Sequence, residues 1–374
     1  MRPFGYFVHH QGRGHATRCA AVVNALPARR PVTVFCARDD IFPPLRDGVT
    51  VRRIPSLFEP DGTPKPPALA AARTPANMHC APLGWSQVRS AMAALTAWFH
   101  AADPELMIVD VSAEVAQLAR LCSVPVVTVL QHGDRSDDGH MRAYESAAGL
   151  LAPYAPALEQ PDRPAFMRAM THYAGGLGVG AQRPASRTAS RRAIGAGDAS
   201  LAVAISGEGG SGTPLAPLAM AARALPDWRI VTIGRIAREG HETEPGNLVH
   251  HGWTDMPETY LAAADLVIAS TGNTTCHQIL AAGRPWIAIP EWRYFEEQLH
   301  KARALHGAGA AHMRTTWPGT PQGWRAAVEA ATAIDPAVQR ALVDPDAAAR
   351  TADWLEGLAA RLWAPAADAA VAAE

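Results

Sequence analysis

Short apolar runs alternate with segments of helical apolar spacing along most of the chain. In the first half, runs at 5–9, 32–37, 49–54, 106–109 and 125–130 predict strands, and segments at 16–26, 83–101 and 114–121 predict helices. In the second half, 201–205, 229–233, 266–269, 286–289 and a short run near 249 predict strands, and 215–225, 258–264 and 275–282 predict helices. Such alternation is typical of parallel sheets covered by helices, so we predict an α/β protein.

The break in this alternation predicts two domains. Residues 1–175 and 198–350 each read as a Rossmann-like, doubly wound unit, joined by a polar, glycine-rich linker at 176–197. A C-terminal helix and a frayed tail are expected at 351–374. The Pro- and Ala-rich stretch 59–76 has no period and predicts an irregular surface loop, a common place for substrate contacts.

Composition excludes several classes of protein. Lys plus Arg is 34 against 35 for Asp plus Glu, so the chain has no excess positive charge with which to hold a nucleic acid. The five cysteines include no CxxC pair, which argues against a disulfide framework and a zinc ribbon. No apolar run approaches the roughly 18 residues of a membrane span. We therefore expect a cytoplasmic protein without a nucleic-acid partner.

Two glycine loops follow predicted strands and precede predicted helices. The later loop, 207–212, satisfies the GxGxxG pattern of dinucleotide sites. Such sites place an acidic residue about twenty positions on, at the end of the next strand. Here that strand ends at Gly234-Arg235, and Pro214 and Pro217 lie in the helix start. A nicotinamide cofactor and a cradle for another diphosphate both stay open.

The earlier loop places His15 in the first turn of a helix. The positive end of a helix disfavours the imidazolium form, which leaves a neutral ring able to accept a proton. Asp110 ends a strand of the same predicted sheet, where its carboxylate can orient that ring. The alternatives are a histidine that caps or packs in the turn and an aspartate that caps the next helix.

An ordered series of motifs in the second half carries a family resemblance. It comprises 263–275, Gln278, 281–285, 287–290, Glu297-Gln298, Ala302 and 309–311. The series resembles the donor-binding half of GT-B glycosyltransferases. It is most similar to family 28, that of the peptidoglycan lipid-intermediate N-acetylglucosaminyltransferase, and to the UDP-glucuronosyl and natural-product transferases. The resemblance implies two Rossmann-like domains facing across a cleft and a nucleotide diphosphate sugar, with UDP favoured, as the donor.

The same resemblance implies which residues contact the donor. The set is Gly14, Gly209, Gly210, Ser211, Arg235, Trp253, Gly272, Asn273, Thr274, Thr275, Gln278, Glu297 and Gln298. The 272–275 turn and the 209–211 loop would hold the diphosphate, Glu297-Gln298 the sugar hydroxyls, and Arg235 and Trp253 the nucleobase. Two departures are Gln278, where the family has a ribose-binding Glu, and Lys301, where it often has Asn. We expect Lys301 to be solvated.

Residues 12–18 resemble the family's acceptor-side glycine loop, and Asp110 falls where relatives keep the Asp of a His–Asp dyad. The resemblance implies an inverting transfer to a hydroxyl acceptor, with His15 as general base assisted by Asp110. No Asp-x-Asp stretch of the sequence demands a manganese ion, so we expect neither metal nor cofactor. A sugar-nucleotide 2-epimerase and a non-catalytic sugar-nucleotide-binding partner remain alternatives.

The identity of the acceptor stays open, and it can be a small molecule or lipid-linked. Met78, Leu83 and Trp85 near the predicted acceptor loop allow a peripheral membrane contact. The competing interpretation places Leu83, with Trp98 and Phe99, in the core stripe of a helix.

Overall fold

The computed structural model describes residues 1–178, 185–207 and 210–365, and within them the chain folds around two parallel sheets. The strands of the first sheet are β1 (Phe4–Val8), β2 (Val32–Cys36), β3 (Val49–Arg53), β4 (Leu106–Asp110), β5 (Val126–Val129), β6 (Gly149–Ala152) and β7 (Thr171–Tyr173). Their helices are α1 (Gly14–Ala25), α2 (Pro67–Ala70), α3 (Ser86–Ala102), α4 (Ala113–Leu121), α5 (Asp138–Glu145) and α6 (Ala165–Ala169). The strand order is β3-β2-β1-β4-β5-β6-β7.

The second half repeats this plan. Its strands are β8 (Ser200–Ile205), β9 (Thr213–Pro214), β10 (Trp228–Ile233), β11 (Ile236–Ala237), β12 (Leu248–Gly252), β13 (Leu266–Ala269), β14 (Trp286–Ala288) and β15 (His312–Met313). Its helices are α7 (Arg187–Ala193), α8 (Leu215–Ala224), α9 (Pro257–Ala263), α10 (Asn273–Ala282), α11 (Glu297–Gly307), α12 (Pro321–Thr332), α13 (Pro336–Arg340) and α14 (Ala347–Leu362). The main sheet has the order β12-β10-β8-β13-β14-β15, and β9 pairs with β11. The predicted α/β class with two doubly wound units is confirmed.

The predicted linker is partly structured. Residues 179–184 lie outside the described part of the chain, but 187–193 form α7. Arg191 is buried and its guanidinium lies 3.0 Å from a carboxylate oxygen of Asp265, which precedes β13. Arg187 pairs with the other oxygen of that carboxylate. The segment that we expected to be linker therefore packs as part of the second unit from Arg187 onward.

The C-terminal helix differs from the expected boundary. It begins at Ala347 rather than at 351, and its buried Leu355 and Ala359 join the core around β1 and α1. The chain therefore crosses between the two units twice, once near Gly178 and again near Ala347. The expected frayed tail falls mostly on residues 366–374, outside the described range.

The 59–76 loop is irregular apart from the four-residue helix α2. The core interpretation of Leu83 is wrong, because the residue lies before α3 and is 53% exposed, whereas Trp98 and Phe99 are buried in that helix.

Across the described ranges, none of the helices combines the length and the apolar character needed to span a bilayer.

Candidate active site

His15 and Asp110 meet at the carboxyl edge of the first sheet. β1 and β4 are neighbours, with Val8 in register with Asp110, so the loop after β1 lies beside the end of β4. Gly12 turns this loop with a φ of +73°, a conformation that favours glycine, and α1 then begins at Gly14. His15 Nδ1 lies 3.0 Å from Asp110 Oδ1. The pairing suggested by the sequence is present.

Arg18 is a third member of this cluster, one to which the sequence pattern alone assigns no role. Its Nε donates to Asp110 Oδ2 at 2.9 Å and its NH2 to Oδ1 at 2.7 Å. The same NH2 lies 3.0 Å from His15 Nδ1. Arg18 and His15 are three positions apart on α1, a spacing that puts side chains on one helix face. The three-residue spacing of His15 and Arg18 within the 12–18 segment is the sequence feature that could have indicated this contact.

The cluster keeps Asp110 ionised. Burial alone would raise the pKa of Asp110, but the charges and hydrogen bonds of Arg18 and His15 hold it well below its usual range. Burial opposes the charge of Arg18 in turn, yet its pairing with Asp110 raises the pKa of the guanidinium. The side chains of Arg18 and Asp110 are almost completely buried, at 2% and 0% exposure, whereas the side chain of His15 is 19% exposed. The imidazole is thus the member that solvent or a ligand can reach.

A groove of about 790 Å³ borders the loop between β1 and α1. It is lined by His10, Gln11, Gly12, Ala37, Arg38, Glu59 and residues 53–56. His9 stacks on Phe58 with ring centroids 4.3 Å apart and lies 5.5 Å from the His15 ring. His10 Nε2 is 3.0 Å from Glu59 Oε1. The groove is therefore lined mainly by polar side chains of the first unit, and the stacked His9 and Phe58 rings lie next to its lining residues His10 and Glu59.

The turn before α10 offers free backbone amides. Gly272 is the N-cap residue, no side chain caps the helix, and its first turn holds no acidic residue. A Cβ on Gly272 would meet nothing within 4 Å, and Asn273, Thr274 and Thr275 are partly exposed. An open helix N-terminus of this kind favours an anion. Gln278 lies one turn further along and is also partly exposed.

Gln298 and Lys301 differ from expectation. Gln298 is 5% exposed, and its Oε1 accepts from Glu291 N at 2.8 Å and from Thr271 N at 3.3 Å. Only its amide nitrogen remains for the predicted contact with a sugar hydroxyl. Lys301 is not solvated: it is 2% exposed and its Nζ bonds Asn273 Oδ1. It brings a buried cation to the 272–275 turn, and Glu297 Oε1 lies 3.6 Å from it.

The remaining predicted donor residues follow β8, β10 and β12 at the same edge of the second sheet. Arg235 NH2 donates to the carbonyl of Ser211, and Thr213 N donates to Arg235 O at 2.9 Å, which joins the two loops. Gly210 lies against Glu291, whose carboxylate a Cβ would approach at 2.9 Å. Trp253 is 59% exposed. Gly209 lies outside the described residues.

The carboxyl edges of the first and second sheets face each other and are in contact. A Cβ on Gly14 would lie 3.4 Å from Thr274 Oγ1, so the first turns of α1 and α10 meet. Asp134 N, in the first unit, donates to Phe295 O at 2.8 Å, and Arg135 NH2 lies 3.6 Å from Glu297 Oε2. His15 and the 272–275 turn therefore line opposite walls of one cleft.

Two histidines near the cleft predict a pH-dependent stability. Burial, followed by nearby positive charge, lowers the pKa of His9 and of His277 to about 3. In the unfolded chain each takes up a proton near pH 6.5, which the folded state excludes. The unfolded state then binds more protons between pH 6.5 and 3, so the free energy of unfolding should fall as pH decreases through this window.

Urea unfolding at pH 7 and pH 5 measures this dependence. His277→Gln removes one of the titrating groups and should give a smaller difference between the two pH values than the wild type gives. Equal free energies of unfolding at pH 7 and pH 5 in the wild type would contradict the interpretation.

Comparison with known proteins supports the fold. Residues 243–317 match the model of the glycosyltransferase family 28 C-terminal domain. A search of curated protein sequences finds no match. Among solved structures, the chain is similar to the glycotransferase of kitacinnamycin (19% identity, 96% of this chain and 100% of that chain, TM-score 0.63). It is also similar to the calicheamicin glycosyltransferase CalG4 (17% identity, 97% of this chain and 100% of that chain, TM-score 0.62). A third similar structure is MurG of Acinetobacter baumannii (14% identity, 95% of this chain and 99% of that chain, TM-score 0.60).

The matched segment runs from the residues before β12 through α10 to the residues after β15, and it includes the 272–275 turn and Trp253. The structural likeness extends over nearly the whole chain. The chain therefore has the two-domain GT-B fold, and a segment of its second domain matches the model of the family 28 C-terminal domain.

Proposed function

We propose that this protein transfers a glycosyl group from a nucleoside diphosphate sugar, with UDP as the favoured nucleotide, to a hydroxyl acceptor with inversion at the anomeric carbon. The observation that carries the proposal is the meeting of a His–Asp pair with an uncapped helix N-terminus across one cleft. The first supplies a base for a hydroxyl, and the second supplies a site for a diphosphate.

His15 acts as the base in this proposal, and Asp110 sets its tautomer. Arginine has no acceptor, so Arg18 cannot receive a proton from the imidazole, whereas the carboxylate of Asp110 can. With Nδ1–H donated to Asp110 Oδ1, 3.0 Å away, Nε2 keeps a lone pair for the acceptor proton. The ionised Asp110 then stabilises the imidazolium that forms. Arg18 keeps that carboxylate ionised.

The donor diphosphate binds at the 272–275 turn. Its charge grows as the glycosidic bond breaks, and preorganised amides at Thr274 and Thr275 stabilise that charge. Lys301, buried beside Asn273, adds a positive charge from below the turn. The exposed indole of Trp253 provides a face on which the base stacks. Gln278 binds a ribose hydroxyl through a neutral amide, which is a weaker bond than a carboxylate makes.

The bond changes balance without a further reactant. The acceptor oxygen forms a bond to the anomeric carbon while the bond from that carbon to the β-phosphate oxygen breaks. The acceptor proton moves to His15 Nε2, and the nucleoside diphosphate leaves with the electron pair. The groove along residues 10–12 holds the acceptor in this proposal, because those residues belong to the loop that leads to His15 at the start of α1.

A transfer assay tests this function. The purified chain is incubated with UDP-sugars and a panel of hydroxyl acceptors, and nucleoside diphosphate release and the anomeric configuration of the product are followed by NMR. We expect release that depends on the acceptor, with a product of inverted configuration. Interconversion of nucleotide sugars without an acceptor would indicate the epimerase instead, and donor binding without turnover would indicate the non-catalytic partner.

A further inference from the structure

A cluster of two histidines and one aspartate lies outside the proposed transfer site. His79, Asp137 and His140 each offer a ligand atom, and these atoms lie within 4.8 Å of one another. His140 Nδ1 is 2.5 Å from Asp137 Oδ2, and His79 Nδ1 is 3.8 Å from Asp137 Oδ1. Both oxygens of one carboxylate thus face a histidine nitrogen. Imidazole nitrogen and carboxylate oxygen are ligands that zinc and its neighbours in the first transition row accept.

The backbone holds these side chains in place. Asp137 is the N-cap residue of α5, where its Oδ1 accepts from His140 N at 3.1 Å. Glu114 Oε1, on α4, accepts from the backbone N of His79 at 2.9 Å and of Cys80 at 2.5 Å. A Cβ on Gly139 would lie 2.4 Å from His79 N, so the loop that carries His79 packs directly on α5. Little reorganisation is therefore needed to bring the three ligands together.

The surroundings leave room for an ion and its remaining ligands. A hollow of about 470 Å³ adjoins the cluster and is lined by residues 74–76, Met78, His79, Asp137, Asp138 and Phe295. His79 is half-buried and Asp137 is exposed, so the ion and its water ligands can enter from this side. Asp138 adds negative charge at the rim.

Arg135 is a cation close to the cluster. Its NH1 lies 3.4 Å from His140 Nε2, on the side of the ring away from Asp137. A metal on Nδ1 moves the ring proton to Nε2, so this long contact is given up. Arg135 keeps its 2.7 Å bond to Gln131 Oε1 and its position over the Phe295 ring. Its charge is also balanced by Glu297, 3.6 Å away.

We propose that His79, Asp137 and His140 form a binding site for a zinc-class divalent ion, with water completing the coordination. The ion would tie the 71–85 segment to the start of α5. Phe295 of the second domain contacts both histidine rings, with centroids 5.3 and 5.1 Å away, so the site lies where the two domains meet. It is independent of the proposed transfer chemistry, for which we expect no metal.

Zinc binding by the full-length protein tests the site. Metal-free protein is titrated with Zn²⁺ in competition with a chromophoric chelator, and the melting temperature is followed with and without Zn²⁺. We expect one ion per chain and a higher melting temperature. His79→Ala and Asp137→Asn should each weaken binding by at least about tenfold, as loss of a metal-site group does. The asparagine can still cap α5, so this second variant remains folded.

His100→Ala is the matched control, because His100 is exposed at the end of α3 and away from the cluster. It should bind zinc as the wild type does. The proposal is overturned if the wild type does not compete with the chelator for Zn²⁺. It is also overturned if His79→Ala and Asp137→Asn both bind Zn²⁺ with the affinity of the wild type. The second result would assign the uptake to other histidines of the chain.

Discussion

His15→Ala should lower the rate of glycosyl transfer by about 10²–10⁴-fold, the usual contribution of a positioned general base. Donor affinity should stay at the wild-type value, because the 272–275 turn, Trp253 and Gln278 belong to the other domain. Turnover is measured as nucleoside diphosphate release, and donor affinity by calorimetry with UDP. A loss of turnover with intact donor binding would separate proton removal from donor recognition.

His100→Ala serves as the control for removal of an imidazole, since this exposed side chain lies on α3. It should leave both measurements unchanged. If His15→Ala retains wild-type turnover, His15 is not the base. If it loses donor affinity in proportion to turnover, its role lies in donor binding instead.

Arg18→Ala should lower the free energy of unfolding by about 3–5 kcal/mol, the cost of leaving a buried charge without its partner. Asp110 is 0% exposed and would keep the hydrogen bond with His15 but lose the cation that balances its charge. Urea unfolding at pH 7 measures the loss. Arg120→Ala, at an exposed position of α4, is the control and should change stability by no more than about 0.5 kcal/mol.

The pH dependence of this variant separates a charge effect from a packing effect. Without Arg18 the pKa of Asp110 should rise, so the carboxyl takes up a proton in the folded state as pH falls. The difference in stability between Arg18→Ala and the wild type should therefore narrow toward pH 4. A loss of less than about 1 kcal/mol, or a difference that stays constant with pH, would show that Arg18 does not act by neutralising Asp110.

Much of the fold follows from local sequence patterns. Buried parallel strands are continuous apolar runs, so β1, β4, β8 and β13 stand out against the polar turns that follow them. The adjacency of His15 and Asp110 also follows, because Asp110 ends β4 and His15 follows the loop after β1, and the carboxyl ends of these strands share one edge of the sheet. The position of the open turn at Gly272 follows for the same reason, because this turn comes after the carboxyl end of β13.

Other features depend on contacts between distant residues. Helix α7 has the composition of a linker, and its Arg191 is ordered by Asp265, which lies 74 residues further along the chain. Gln298 resembles a ligand-binding residue in sequence. In the structure its side-chain Oε1 accepts hydrogen bonds from the backbone amides of Thr271 and Glu291. The His79 cluster joins a loop residue to the start of α5 through packing at Gly139. None of these pairings has a local signature.

A crystal structure of the protein with bound UDP tests the central claim most directly. We predict diphosphate oxygens within hydrogen-bond distance, about 3 Å, of the backbone amides of Thr274 and Thr275, with the His15 imidazole facing them across the cleft. A diphosphate bound away from this turn, or a His15 ring directed out of the cleft in the complex, would contradict the proposed function.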